Sequence, residues 1–181
     1  MNDFDVVSVF LKNGQQVTIR AAHRSDETGV ARFFRQAVQE TEFLSMQIDE
    51  VGSDAEVGRF LHAMERSGHS LFLVAAVPGM IVGMGQVSFS ARRKSRHRAV
   101  ISVAVSRKLW GLGLGSAMLN AMTAFAGKRG ATQLELTVMA DNVRAIALYE
   151  RFGFKAVGRM PNAYLMSDGG FRDEISMVKP L

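Results

Sequence analysis

Short segments of the chain are either apolar throughout or alternate apolar and polar residues, and both patterns are typical of β-strands. Two such segments, 7–11 and 17–21, flank Asn13-Gly14, a dipeptide that favours a tight hairpin turn. We therefore expect the chain to begin with a β-hairpin. Further strands are predicted over residues 71–77, 81–90, 99–105, 134–139, 164–166 and 174–178.

Other segments space apolar residues three and four positions apart, which predicts amphipathic helices. The first follows the N-cap candidate Ser25-Asp26 and runs to about Glu40, and the second follows Ser53-Asp54-Ala55-Glu56, which has capping-box spacing. A third helix is predicted from 114 to the glycines at 127–130. The fourth carries Asn142, Ala145 and Tyr149 on one face.

Two of the predicted strands differ in the environment they indicate. The residues from Val100 to Val105 are almost all apolar, so we expect that strand in the middle of the sheet and covered on both faces. The strand 134–139 alternates instead, so its polar side, which carries Glu135, is expected to face a cleft. No repeat or linker divides the chain, which predicts a single α/β domain over residues 1–181.

Composition narrows the chemistry. The 181 residues are 48% hydrophobic and 22% charged, as in an ordinary globular domain. There is no Cys, which excludes disulfides, thiolate metal sites and cysteine nucleophiles and is consistent with a reducing cytoplasm, where we expect the protein. The histidines lack metal-ligand spacing, so no metal is expected. Residues 70–91 carry no charge, but Pro78-Gly79 interrupts them, which favours two strands joined by a turn over a membrane span.

The net charge is +5, and it is unevenly distributed. Six acids and no base lie between Glu40 and Gly58, whereas the segment Arg92–Arg98 is almost wholly basic. Such a segment could contact nucleic acid or an anionic cofactor. It contains no interleaved aromatic residues on which bases could stack, so a solvated loop is favoured and a nucleic-acid partner is not expected.

The main chemical motif is Trp110-Gly111-Leu112-Gly113-Leu114-Gly115-Ser116, between a predicted strand and a predicted helix. Alternate glycines let the backbone approach a ligand, and a helix N-terminus offers free N–H groups, so the motif suits a phosphate. A P-loop would need Gly-Lys-Ser/Thr, and Gly115-Ser116 lacks the lysine. A Rossmann fingerprint fails because Ser116 stands where the last glycine belongs.

This loop, together with Val103-Ala104-Val105 and the later motif Asn142-x-x-Ala145-x-x-Leu148-Tyr149-x-x-x-Gly153-Phe154, resembles the GNAT superfamily of acyl-CoA-dependent N-acyltransferases. The resemblance implies a mixed, mostly antiparallel central sheet flanked by about four helices. It also implies acetyl-CoA as the acyl donor. One position departs from the family pattern, because Trp110 stands where Arg or Gln is common, so backbone amides must carry more of the phosphate binding.

The resemblance implies a role for each part of the motifs. The strand backbone would pair with the pantetheine arm, the glycine loop would hold the pyrophosphate, and Asn142 would bond the pantetheine chain. The implied cofactor contacts are Val103, Ala104, Val105, Trp110, Gly111, Leu112, Gly113, Leu114, Gly115, Ser116, Asn142 and Ala145.

Tyr149 would lie near the thioester sulfur, and a phenol can return a proton to the departing thiolate, so Tyr149 is the candidate general acid. The general base is left open between Glu135 and Glu42. The family resemblance places acceptor contacts at Glu40, Thr41, Glu42, Phe43, Asn162 and Tyr164.

The expected activity is transfer of an acetyl group to a primary amine, on a small molecule, an amino acid or a protein N-terminus, by direct attack without a covalent enzyme intermediate. The alternative is a non-catalytic acyl-CoA-binding or interaction module of the same fold. No membrane association is expected. Exposed strand edges in the terminal hairpins leave a homodimer open.

Overall fold

The computed structural model describes residues 4–181, in which four α-helices surround one eight-stranded sheet. The single domain over residues 1–181 stays a prediction. The helices are α1 (Glu27–Glu40), α2 (Asp54–Arg66), α3 (Leu114–Lys128) and α4 (Val143–Arg151). The strands are β1 (Val7–Phe10), β2 (Gln16–Ala21), β3 (Ser70–Val77), β4 (Met80–Phe89), β5 (Arg98–Val105), β6 (Gln133–Met139), β7 (Lys155–Leu165) and β8 (Phe171–Pro180).

The strands are arranged in the order β1-β2-β3-β4-β5-β6-β8-β7. All neighbours are antiparallel except β5 and β6, which are parallel because α3 connects them across the sheet. This arrangement confirms the expected mixed, mostly antiparallel sheet with four flanking helices. The N-terminal hairpin is confirmed as well, with its turn at the predicted Asn13-Gly14.

Two apolar clusters sandwich the sheet. One joins α1 and α2 to the face of β3 and β4 that carries Phe72, Val74 and Met84. The other joins α3 and α4 to the opposite face, where Leu71 and Leu73 alternate with that set. The uncharged run over residues 71–75 is therefore buried on both faces of a central strand. Among residues 4–181, no helix is both long and apolar enough to cross a membrane.

The expectation that β5 is covered on both faces is wrong. The strand is central in the sheet, but only Ala99 and Ile101 are buried, while 51% of the surface of Val100 is exposed. The helices α1 and α2 pack over β3 and β4 and leave the neighbouring face of β5 open. The apolar run does not reveal this opening, because an exposed valine looks the same in sequence as a buried one.

The pairing of β5 with β6 is short. Only three register pairs join them, Arg98 with Gln133, Ala99 with Leu134 and Val100 with Glu135. Beyond Val100, β6 continues to pair with β8 as far as Met139, but it no longer pairs with β5. The sheet therefore splits along the second half of β5.

The C-terminal hairpin is longer than predicted. The strands β7 and β8 extend well beyond residues 164–166 and 174–178, and β7 forms an exposed edge of the sheet. The helix starts are close to prediction: Ser53 and Glu56 form the predicted capping box. At α1 the N-cap is Asp26, but its carboxylate binds Arg20 and the backbone N–H of His23 instead of capping the helix.

Candidate active site

A cavity of about 760 Å³ occupies the split between β5 and β6, a volume typical of ligand-binding pockets. The ends of β5 and β6, the glycine loop, α4 and the segment after α1 all contribute to its walls. Its lining includes Lys12, Glu40, Thr41, Phe43, Val103, Ala104, Val105, Trp110, Gly111, Gly113, Gly115, Ser116, Thr137, Asp141, Asn142, Arg144, Ala145, Tyr149, Arg151 and Tyr164.

The glycine loop presents bare backbone to this cavity. Gly111 and Gly113 have φ of +77° and +101°, which glycine adopts without strain. A Cβ on either residue would meet no atom within 4 Å, so it would project into open space. The third glycine serves packing, because a Cβ on Gly115 would lie 3.2 Å from Leu148 of α4.

The same loop begins α3. Gly113 is the N-cap and has no side chain to satisfy the first-turn N–H groups, and the first helical bond runs from Ala117 N to Gly113 O, at 3.0 Å. The N–H groups of the first turn are therefore available to an anion at the positive end of the helix dipole. Leu112 and Leu114 do not line the cavity: Leu112 packs against the core, and Leu114 is fully buried in it.

Trp110 anchors the loop to the sheet. Its indole Nε1 donates a hydrogen bond of 2.8 Å to the carbonyl oxygen of Val105. The guanidinium carbon of Arg144 lies 4.9 Å from the centroid of the indole, a distance typical of cation–π contacts. The residue that departs from the family pattern thus positions both the loop and an arginine that lines the cavity.

The free edge of β5 faces the cavity. Ser106 N donates to Val82 O, at 2.9 Å, so the backbone groups of Ser106 point toward β4. Because the direction of these groups alternates along an antiparallel strand, those of Ala104 also point toward β4. The backbone groups of Val103 and Val105 point away from β4. Trp110 uses the carbonyl of Val105. The N–H and C=O of Val103 and the N–H of Val105 are left for an extended ligand.

Helix α4 and its N-cap bring three predicted residues to the cavity. Asn142 is the N-cap, and its Oδ1 accepts from Ala145 N at 3.2 Å. One of the two lone pairs of Oδ1 is thereby used, and the amide NH2 is left to donate to a ligand. Asn142, Ala145 and Tyr149 all line the cavity, as their shared helical face predicts.

Tyr149 is held in a largely apolar setting. It is only 8% exposed, and its ring packs edge-on against Phe154, with centroids 6.0 Å apart. Burial raises the pKa of Tyr149 to about 12, because a phenolate would lose its hydration. The phenol therefore stays protonated at neutral pH and can serve as a proton donor.

The structure keeps Glu135 out of the cavity. It lies on the same face of β6 as Thr137 but about 7 Å further from the opening, where β5 and β6 still pair. Arg98 donates to both carboxylate oxygens, and Gln133 Nε2 donates to Oε1 at 2.7 Å. These hydrogen bonds from Arg98 hold the pKa of Glu135 below its ordinary value. The cleft expected around Glu135 begins one same-face position later, at Thr137.

Glu42 likewise stays outside the cavity lining, at its rim. Its Oε2 accepts a hydrogen bond of 2.8 Å from Arg172 Nη2, and Arg172 Nη1 lies 2.8 Å from Asp141 Oδ2. Arg172 also lies 5.9 Å from the ring centroid of Phe43. It thus ties the segment after α1 to the loop before α4. The geometry gives neither Glu42 nor Glu135 direct access to the cavity, and their roles as bases stay predictions.

Glu40, the last residue of α1, is bonded to Arg107 in the turn that precedes the glycine loop. Its Oε2 accepts from Arg107 N at 2.7 Å, and its backbone carbonyl accepts from Arg107 Nη1 at 3.2 Å. Of the other expected acceptor contacts, Thr41, Phe43 and Tyr164 line the cavity. Asn162 is exposed and does not; its N–H donates to Asp173 instead.

Sequence reasoning missed three basic residues that line the cavity, Lys12, Arg144 and Arg151, and the carboxylate of Glu174 beside Tyr164. Lys12 lines the cavity because its backbone N–H donates to Leu112 O at 3.0 Å, which joins the first hairpin to the glycine loop. Arg144 and Arg151 follow from the orientation of α4. Glu174 accepts a hydrogen bond from the hydroxyl of Tyr164. The positions of Arg144 and Arg151 beside the Asn142 to Tyr149 motif could have drawn attention to them.

Comparison with known proteins agrees with this geometry. A sequence model of the Acetyltransferase (GNAT) family matches residues 32–154, more than half of the chain. The fold and the cavity are those of an acyltransferase domain, and the chain belongs to the GNAT acetyltransferase family.

Individual relatives share between 22% and 28% of aligned residues with this chain. L-amino acid N-acetyltransferase AaaT of Escherichia coli (strain K12) is 28% identical over 108 residues, covering 59% of this chain and 66% of that protein, just under two thirds of its length. The GNAT acetyltransferase of Streptococcus pneumoniae superposes with a TM-score of 0.85 at 28% identity, covering 91% of this chain and 99% of that one. The yncA protein of Salmonella typhimurium, solved with its cofactor acetyl-CoA, shares the fold at a TM-score of 0.79 and 22% identity, covering 92% and 95%.

Proposed function

We propose that the protein is an acetyl-CoA-dependent N-acetyltransferase that acetylates a primary amine by direct attack in a ternary complex. The observation that carries the proposal is the split between β5 and β6, because one cavity joins a strand edge, a glycine loop at a helix N-terminus and the buried phenol of Tyr149.

The phosphate end of the cavity fits the donor. The glycine loop offers N–H groups without a Cβ to block them, and Lys12, Arg144 and Arg151 add positive charge to the lining. The free backbone groups of Val103 and the amide of Asn142 suit the amide-bearing pantetheine arm. Bound there, acetyl-CoA supplies a thioester carbonyl that an amine can attack.

The buried phenol fits the chemistry of the departing group. Attack of a neutral amine on a thioester expels a thiolate, which needs a proton to leave as a thiol. Tyr149 keeps its proton to about pH 12 and lines the same cavity as Asn142, so it supplies that proton.

The acceptor end has the opposite charge. Glu40 and Asp141 line the cavity there, and Glu42 and Glu174 stand close behind. The guanidinium of Arg172 contacts Glu42 and Asp141, and that of Arg107 contacts the backbone carbonyl of Glu40, so four carboxylates lie beside two guanidinium groups. A negative environment attracts an ammonium group. The acceptor is therefore a primary amine that arrives protonated, on a small molecule, an amino acid or a protein N-terminus.

The proposal is tested with purified protein and acetyl-CoA. Binding is measured by calorimetry, and release of free thiol is followed with a panel of L-amino acids, polyamines and short peptides with free N-termini. We expect acetyl-CoA binding and acetylation of at least one amine. Absence of acetyl-CoA binding would contradict the proposal.

The panel also decides the alternative. Tight acetyl-CoA binding without turnover on any amine would favour a non-catalytic acyl-CoA-binding module. The position of Tyr149 inside the cavity favours the enzyme, because a pure binding module has no need of a buried proton donor there.

A further inference from the structure

We propose that Tyr164 and Glu174 form a proton relay that removes a proton from the acceptor ammonium before it attacks the thioester. The inference rests on the proposed function and deepens it, because it names the groups that activate the amine.

The two residues lie side by side on the C-terminal hairpin. Tyr164 pairs with Arg172 across the strands, and Glu174 lies two residues further along β8, so all three side chains emerge on one face of the sheet. The hydroxyl of Tyr164 donates to Oε2 of Glu174. Tyr164 lines the cavity and Glu174 stands behind it.

The same face carries the acceptor end of the cavity. On β6, Met139 is opposite Glu174 and Thr137 is opposite Ser176, and both Met139 and Thr137 line the cavity. The split beyond Val100 opens toward these residues. A nucleophile that reaches the cavity from this face meets Tyr164, one of the residues that line it.

The other charged groups around Tyr164 are bound elsewhere, so Glu174 is the carboxylate that accepts from its hydroxyl. On β8, Arg172 is bound by Glu42 and Asp141, and Asp173 emerges on the opposite face, where it binds Arg159. The cross-strand neighbours Met139 and Met160 carry no charge. From the segment after α1, the carboxylate of Glu42 is held by Arg172 at 2.8 Å.

The relay balances as follows. The ammonium N–H proton passes to the oxygen of Tyr164 while the hydroxyl proton of Tyr164 passes to Glu174, which leaves a neutral amine, a neutral phenol and a protonated carboxyl group. The carboxyl group later releases its proton to solvent. Burial and the hydrogen bond to Glu174 raise the pKa of Tyr164 to about 12, so the residue conducts the proton without becoming a stable phenolate.

The test uses Glu174→Gln, which keeps a hydrogen-bond acceptor but cannot take a proton. The acceptors are the best alkylamine of the panel and the matching O-alkylhydroxylamine, whose nitrogen is already neutral at pH 7. At pH 7 we expect kcat/KM for the alkylamine to fall by about 100-fold, within the range for loss of a general base. For the O-alkylhydroxylamine we expect little change.

The pH profile provides the second readout. The kcat/KM of Glu174→Gln for the alkylamine should rise about tenfold per pH unit toward the amine pKa near 10.4, since only neutral amine then reacts, and should approach the wild-type value there. Tyr164→Phe should give the same profile. Asp168→Asn is the matched control, because it removes a carboxylate from the turn of the same hairpin while retaining an oxygen for Gly170 N.

The outcomes separate the relay from other causes. An equal loss for both nucleophiles at every pH, with acetyl-CoA binding intact, would show a structural role for Glu174 and overturn the relay. If the wild-type protein acetylates amines and Glu174→Gln has the same kcat/KM for the alkylamine at pH 7, the relay is overturned and the proposed function stands. A wild-type protein that acetylates no amine would overturn both.

Discussion

Trp110 Nε1 donates a 2.8 Å hydrogen bond to the carbonyl oxygen of Val105, so the glycine loop is tied to the last residue of the strand that precedes it. The same indole carries the guanidinium of Arg144 at 4.9 Å. The tryptophan therefore makes two positioning contacts, one to the sheet and one to a cation.

Substitution of Trp110 separates these two contacts. Trp110→Phe removes the hydrogen bond and keeps an aromatic face, so we expect acetyl-CoA affinity to fall about fivefold, the value of one ordinary hydrogen bond. Trp110→Ala removes both contacts and should weaken binding several-fold further. Calorimetric titration with acetyl-CoA measures the series, and equal affinity for all three proteins would contradict the positioning role.

Gly113, the N-cap of α3, and Gly127, in the last turn of that helix, form a matched pair. Gly113→Ala forces a side chain into φ of +101° at the N-cap, so we expect a loss of about 1–3 kcal/mol in the free energy of unfolding, together with weaker acetyl-CoA binding. Gly127→Ala lies on the exposed last turn with open space around its Cβ and should stabilise the protein by about 0.4–1 kcal/mol. Denaturant unfolding distinguishes them. Equal effects of the two substitutions would show that the backbone at Gly113 is not constrained.

Glu135 links stability to pH. Its pKa lies below the ordinary 4.5 because of the hydrogen bonds from Arg98, so the fold favours the ionised carboxylate. This stabilisation is present above pH 4.5 and is lost as the pH falls through the lowered pKa. Glu135→Gln should therefore reduce the Tm at pH 7 by a few degrees, and the difference should disappear in acid.

The control for this series is Glu150→Gln, which alters an exposed carboxylate on α4. We expect no comparable change in Tm from that variant at either pH. A difference between Glu135→Gln and wild type that persisted unchanged at low pH would indicate altered packing instead of a lost ionic contact.

Tyr149 gives a catalytic prediction with a distinct pH signature. Tyr149→Phe should lower kcat by about 100-fold or more while leaving acetyl-CoA affinity nearly intact. Since the pKa of Tyr149 is raised to about 12, the wild-type kcat should show no decline due to this group up to about pH 10. Steady-state kinetics over this range provide the measurement, and an unchanged kcat in Tyr149→Phe would remove the residue from its proposed role.

The parts of the fold with a strong local pattern could be predicted from the sequence. The capping box at Ser53 and the turn at Asn13-Gly14 depend on neighbouring residues alone, so they appear where expected. The glycine loop and the face of α4 with Asn142 and Tyr149 are also local, and the structure brings both to one cavity.

What the sequence did not reveal depends on contacts between distant segments. Glu135 lies on the face of β6 that borders the cavity. However, β6 still pairs with β5 at Glu135, so the opening begins only beyond that residue. Arg98, 37 residues earlier in the chain, then occupies its carboxylate. Tyr164 and Glu174 meet only because β7 and β8 pair in a particular register, which bulges shift twice.

If the donor binds as proposed, the short junction between β5 and β6 couples donor binding to the stability of the fold. The pantetheine arm of the donor, bound along the free edge of β5, would extend the pairing between β5 and β6. The chain itself joins these strands by only three register pairs. Its binding energy then adds to folding energy, by about 2.7 kcal/mol when the donor is at a hundred times its Kd. The supply of acyl donor in the cell would thereby govern how long each copy of the enzyme resists proteolysis, as well as how fast it works.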